Sequence, residues 1–188
     1  MTLKSTQLGG KLLLAMPALG DPRFKGSVIL ICEHGEDGSL GLVINHPLQL
    51  DLGTVLKQIN LPGDHAEVAS RPVFSGGPVE TQRGFVVHDA PGRYADSLNV
   101  GDTLSVSSSE QILQAISQGE GPARFIVVLG YAGWGPGQLD SELRENAWLS
   151  VPATQELIFE TPIKDRWRKA AIQIGIDPLQ LSSESGNA

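Results

Sequence analysis

Cysteine is nearly absent: the 188 residues hold one, Cys32. A lone thiol excludes an intramolecular disulfide and any multi-thiolate metal site within a single chain, and it fits a reducing compartment, so a cytoplasmic protein is expected. Long apolar runs are missing too. The longest, Val28 to Cys32, is strand-sized and far short of the roughly 18 residues that cross a bilayer, so no membrane association is expected. Basic charge is scarce, with 14 lysines and arginines against 21 acidic residues, a formal net charge of −7 and a pI near 5.0. Neither half of the chain carries the basic field that nonspecific nucleic-acid binding needs. Charged residues make up 19% of the chain, below the roughly 25% of ordinary soluble domains. With 40% hydrophobic residues, that balance supports a folded core and excludes disorder as the main state.

Glycine and proline are plentiful, at 22 and 12 residues, which favours many short elements joined by tight turns over a helix bundle. The length suits one domain over residues 1–188, and neither a linker nor a long-period repeat interrupts it. Met1 to Pro17, with two lysines and Leu12-Leu13-Leu14, has the look of a short signal peptide, but Pro17 and Asp21 break the run and no small-residue cleavage site follows; it reads as an opening strand. Residues 182–188 are small and polar and are expected to fray.

The strand expected from Lys11 to Met16 is followed by turn residues Gly20-Asp21-Pro22. Ser27 to Glu33 is apolar on both faces and reads as a central strand covered twice. Glu36-Asp37-Gly38 turns the chain into an antiparallel return strand, Leu40 to Asn45, which Pro47 stops. Leu52, Val55, Leu56 and Ile59 form one stripe of a short helix that Asp51 is placed to cap. Further strands are expected at Pro72–Phe74, Gly84–His88 and Asp102–Val106, the first leading to a Gly76-Gly77-Pro78 turn. Ser108 and Gln111 have capping-box spacing for a helix to Gly119. Arg124 to Leu129 is the second strand apolar on both faces; a glycine-rich turn over residues 130–137 follows, then a helix with Leu139 and Leu143 and an edge strand at Trp148–Val151. Thr161-Pro162 opens a C-terminal helix to Gly175. The pattern is α+β, a single domain with a mixed, largely antiparallel sheet.

Three groups of residues bear on chemistry. Gly130, Tyr131, Gly133, Gly135 and Gly137 sit where a phosphate loop would, but Gly133-Trp134-Gly135-Pro136-Gly137 lacks both the Gly-Lys-Ser/Thr ending and the dinucleotide spacing. Asp140 and Glu142 near the start of the next helix would repel an anion. A structural turn is therefore expected, with Trp134, Gln138 and Glu142 along an exposed edge that binds a partner. Cys32 and His34, two apart on a strand, share a face in simple alternation and form a candidate thiol–imidazole pair, against the plainer reading of a buried small side chain. The histidines at 34, 46, 65 and 88 match no metal spacing, so neither metal nor cofactor is expected, though His34, His46 and His88 lie near strand ends. Lys164, Arg166, Arg168 and Lys169 lie opposite the C-terminal apolar stripe and read as a solvated face, with Asp165 paired to Lys169.

Taken in order, Gly20-Asp21-Pro22-Arg23-Phe24, Ser27 through His34, Gly38 through Pro47, Gly76-Gly77-Pro78-Val79 and Leu129 through Leu139 resemble the YqgE/AlgH family over about residues 8–175. The resemblance implies a compact α+β domain with a barrel-like β core. It brings no agreed catalytic residue. One branch of the family is described as a transcriptional regulator of alginate production, and family genes often neighbour one for a Holliday-junction resolvase-like nuclease; neither association assigns a role to a residue here. Two readings stand: a non-enzymatic regulatory protein that acts on gene expression through a protein partner, without specific DNA binding of its own, and a small-ligand binder or enzyme built on a Cys32/His34 cleft.

Overall fold

A computed structural model describes residues 8–181, so the tail expectation for 182–188 lies outside the described residues. The ten strands are β1 (Lys11–Ala15), β2 (Val28–Gly35), β3 (Gly38–Val43), β4 (Pro47–Asp51), β5 (Pro72–Ser75), β6 (Val79–His88), β7 (Leu98–Val100), β8 (Leu104–Ser107), β9 (Phe125–Trp134) and β10 (Trp148–Pro152). The α-helices are α1 (Leu52–Gln58), α2 (Ala66–Ala69), α3 (Glu110–Ser117), α4 (Gln138–Arg144), α5 (Arg166–Gln173) and α6 (Pro178–Leu181). The fold is α+β, with one sheet in the order β10-β1-β2-β3-β9-β6-β8-β7 that curls into a half-barrel; β4 pairs β5, and β5 adds to β9. All pairings are antiparallel except β5 with β9.

Strands that are apolar on both faces are covered on both, as the pattern of β2 and β9 requires. Leu12, Leu14, Leu30, Leu42, Phe74 and Val128 point to the inner core, which Leu157, Ile158 and the α5 alanines Ala170 and Ala171 close. Outside, α1, α2 and α3 cover one half of the sheet with Leu56, Val68 and Ile112 against Val73, Val86 and Val127. The other half is covered by α4, where Leu139 joins Ile29, Ile31, Trp134 and Trp148. Asp51 caps α1 as its position suggests, accepting from Thr54 N–H at 2.8 Å.

The glycine-rich segment is strand through Trp134 and not a turn over 130–137. One edge of β9 runs along β6 (Val79↔Tyr131, Gly84↔Leu129). Its other edge changes partner, from β5 at Val127–Leu129 to β3 at Ala132–Trp134. At the changeover Gly76 and Gly77 cross β9 backbone to backbone, with Gly76 N–H donating to the Leu129 carbonyl at 2.8 Å and Val43 N–H to the Gly76 carbonyl at 2.8 Å. A Cβ on Gly76 would collide with the Gly130 carbonyl, and one on Gly77 with the Tyr131 backbone. Gly77 (φ 152°) and Gly130 (φ 79°) also hold positive φ, so the crossing itself requires glycine. Around Gly133 and Gly135 the nearest neighbours of a Cβ would be 3.7 and 3.9 Å away, ordinary contacts that demand no glycine.

Other expectations change as well. The α3 N-cap is Ser109, not Ser108, and no side-chain capping bond forms, so the capping box is absent. Pro47 does not end β3, which stops at Val43; it opens the edge strand β4, where a missing N–H is tolerated. The helix expected from Thr161 opens as a 3₁₀ turn (Ile163–Asp165) and continues as α5, with a separate π turn (Glu156–Glu160) before it. In α5 Arg166 is buried, at 5% exposure, and Asp165 meets Arg168 at 3.8 Å in place of Lys169.

Candidate functional site

The corner between β9, α4 and β10 gathers the residues expected along a recognition edge. Trp134 ends β9 and is only 6% exposed, so it is part of the base of this corner and not an exposed anchor. Its indole N–H donates to Glu142 Oε2 at 3.0 Å, and the indole N–H of Trp148, at the start of β10, donates to the same oxygen at 2.7 Å. The two indoles meet edge to face, 5.9 Å between centroids. Gln138 supplies the third bond, its Nε2 donating to Glu142 Oε1 at 3.0 Å while its Oε1 accepts from Gly135 N–H at 3.0 Å. Glu142 is thus a structural clasp. Charge-assisted bonds of this kind are roughly twice as strong as neutral ones, and they satisfy indole donors that burial would leave costly.

The N-cap of α4 is Gly137 (φ 71°), which offers no side-chain oxygen. Gln138 N–H donates to the Gly135 carbonyl at 3.1 Å. The exposed surface over this base comprises the turn Gly135-Pro136-Gly137, Gln138, Arg144, Glu145 and Asn146. Asp140, with its side chain about half exposed, lies 3.5 Å from His34 Nε2 and joins α4 to the β2–β3 turn that carries Glu36 and Asp37. Tyr131, half-buried, packs edge-on to Phe85 at 6.1 Å beside the Gly76-Gly77-Pro78 crossing.

Cys32 and His34 do not form a pair. A β-bulge between Ile31 and Glu33 shifts the register of β2 on β3 and undoes the simple alternation. Cys32 therefore points into the inner core with Leu30. His34 stands opposite Ser39, itself opposite Trp134, on the outer face, and its Nδ1 lies 2.7 Å from Ser39 Oγ. Burial pushes the Cys32 thiol well above the ordinary cysteine range, which disfavours the nucleophilic thiolate.

A serine–histidine contact that the sequence did not signal lies at the far end of β6. His88, fully buried, has Nε2 3.0 Å from Ser107 Oγ. Its Nδ1 accepts from Ala90 N–H at 3.3 Å, so the neutral ring carries its proton on Nε2 and donates to the serine. That tautomer leaves no base facing Ser107. His34, His46 and His88 remain in separate surroundings, and no three His, Cys, Asp or Glu side chains gather into a metal-binding group among the described residues.

These features define a half-barrel α+β protein whose outer helix is pinned to the sheet by one carboxylate between two indoles. The chain belongs to the AlgH-like family, whose model matches residues 12–179. It is 48% identical over 181 residues to the UPF0301 protein RSc0675 of Ralstonia nicotianae, covering 96% of this chain and 95% of the relative. To the UPF0301 protein Smlt1098 of Stenotrophomonas maltophilia it is 46% identical over 187 residues, the full length of both. Among solved structures it is similar to the AlgH protein of Pseudomonas aeruginosa, with TM-score 0.79, 39% identity and complete coverage of both chains. Protein DIP2367 of Corynebacterium diphtheriae shares the fold at 23% identity and TM-score 0.70, over 99% of this chain and 95% of that one.

Proposed function

We propose that the protein is a non-enzymatic interaction protein of the bacterial cytoplasm, acting on gene expression indirectly through a protein partner that docks on the α4 corner. The observation that supports this reading is the Glu142 clasp. It fixes a seven-residue surface helix rigidly on Trp134 and Trp148 and so holds Gln138 and Asp140 in a set geometry, the arrangement that recognition benefits from. Trp134 and Glu142 serve as the base, and Gln138, Asp140 and Glu145 as the contact. Asp140, Glu145, Glu36 and Asp37 outnumber the one exposed arginine of α4, Arg144, so the surface suits a lysine- or arginine-bearing partner segment. A net charge of −7 argues against direct specific binding to duplex DNA. The regulatory role draws on the family branch described as a transcriptional regulator.

The test is capture from native bacterial lysate with wild type and with an Asp140→Lys, Glu145→Lys double variant. The expected result is a partner retained by wild type and lost by a variant whose melting temperature is unchanged. A stable variant that keeps every captured protein would defeat the assignment.

A further inference from the structure

The arginines of this chain differ sharply in how they are neutralised, and two that are buried or half-buried without a carboxylate meet in a cleft remote from the α4 corner. Arg124 is held by Asp89 at 2.9 Å, by Glu160 at 2.8 Å and by the Gln155 amide oxygen. Arg166, 5% exposed at the start of α5, has no carboxylate partner among the described residues. Its Nε donates to the Thr161 carbonyl at 3.2 Å and one Nη to the Ile44 carbonyl, while the guanidinium lies 5.2 Å from the Phe74 ring centroid. The other Nη makes no hydrogen bond among the described residues and is not one of the atoms sealed from solvent. Arg71, half-buried, also reaches only carbonyls, those of Glu67 at 3.3 Å and Phe125 at 3.4 Å, with its guanidinium 4.2 Å from the Phe125 centroid.

Both arginines line one cleft of ≈ 220 Å³, shared with Phe74, Phe125, Phe159 and Ile163. Carbonyls and ring faces solvate a guanidinium without cancelling its charge, and a buried charge left unpaired is costly. Burial lowers the Arg166 pKa to about 10, so the group stays charged at neutral pH. In a chain of net charge −7 that has carboxylates to spare, two arginines facing an apolar cleft without one leave room for an anion from outside.

We infer that this cleft binds a small organic carboxylate with a flat apolar body, its charge met by Arg71 and Arg166 and its body lying against the phenylalanines. The planar guanidinium fork matches the two oxygens of a carboxylate. The apolar lining disfavours a free phosphate, which is strongly hydrated and offers nothing to bury. The volume is below the roughly 300–1,000 Å³ of pockets for drug-sized ligands, which limits the body to about one ring.

The experiment is an NMR titration of ¹⁵N-labelled full-length protein with sodium benzoate, with benzyl alcohol as the ring without the charge and inorganic phosphate as the charge without the ring. Benzoate is expected to give saturable shifts at the amides of Phe125, Ile126, Ile163 and Arg166, with benzyl alcohol at least tenfold weaker and phosphate without effect there. Arg71→Gln, at a half-buried position, is expected to fold and to weaken benzoate at least fivefold. Arg166→Lys, which keeps charge but loses the fork, is expected to do the same; if that variant unfolds, Arg71→Gln decides alone. Benzoate shifts absent from the cleft, equal affinity in Arg71→Gln, or phosphate binding as tightly as benzoate would each overturn the inference.

Discussion

Trp134 and Glu142, eight residues apart, are joined by a 3.0 Å hydrogen bond from indole to carboxylate across the turn between β9 and α4, and Trp148 completes the clasp from β10. Glu142→Ala leaves two buried indole donors unsatisfied at about 1–3 kcal/mol each if water does not replace the carboxylate. Because Glu142 is half-buried and water has partial access, we expect a loss near the bottom of that range, about 2 kcal/mol in all. Trp134→Ala should cost about 3–5 kcal/mol as a large-to-small core change. A denaturant-unfolding cycle of Trp134→Phe with Glu142→Ala should give a coupling of about 1 kcal/mol; additive losses would mean that the bond contributes nothing.

Glycine substitutions should separate by position. Gly77→Ala, forced against the Tyr131 backbone, should cost about 3 kcal/mol or more, at the upper end of overpacking because a backbone cannot step aside. Gly133→Ala, at an open site on β9 itself, should stay within about 0.5 kcal/mol. Thermal melts of the two variants check the contrast, and equal losses would contradict the crossing of Gly76-Gly77 over β9 as its cause.

The Cys32 thiol should resist a bulky aromatic disulfide reagent at pH 8 for as long as the protein stays folded, and react at once in denaturant. Two causes act together: the side chain is buried, and that burial raises its pKa. Stoichiometric labelling of native protein within minutes would contradict its place in the inner core.

Acid should weaken the fold before the carboxylates titrate. Burial lowers the pKa of His88 and of His46 below the ordinary 6.5. Between those folded values and 6.5 the unfolded chain binds more protons than the native one, so the contribution is complete above about pH 6.5 and is lost as pH falls. Around His88 the charged neighbours are Asp89, which opposes the shift, and Arg93, which adds to it. Asp51 and Asp89 are themselves held below the ordinary carboxylate range, so their losses come at lower pH. The melting temperature should fall from pH 7.5 to 5.5, and by less in His88→Gln; an unchanged pH dependence in that variant would clear His88 of the effect.

How far the sequence foretold this architecture follows from what each signal encodes. Strands β2 and β9 are legible because burial on both faces writes an unbroken apolar run, and Asp51 because its cap is local. The extension of β9 to Trp134 is hidden, since glycines carry no periodicity, and the three-residue β7, with Leu98 exposed, has too little pattern to register. The bulge at Cys32 is a property of pairing with β3, so alternation alone places His34 on the wrong face. Arg166 is hidden for a related reason: its burial depends on carbonyls of Ile44 and Thr161 that other parts of the chain supply. At the α4 corner the sequence placed Trp134, Gln138 and Glu142 on one exposed edge; the structure brings the three together but buries Trp134, because Trp148, which the sequence did not signal, shares the Glu142 oxygen with it.

The most direct test of a partner at the α4 corner is photo-crosslinking in living bacterial cells, with a photoreactive phenylalanine analogue at position 138 and, as control, at Glu67 on α2 across the sheet. The account predicts a discrete protein adduct from position 138 that is missing from position 67 and vanishes when Asp140→Lys and Glu145→Lys are added. No adduct at 138, or the same adducts from both positions, would contradict it.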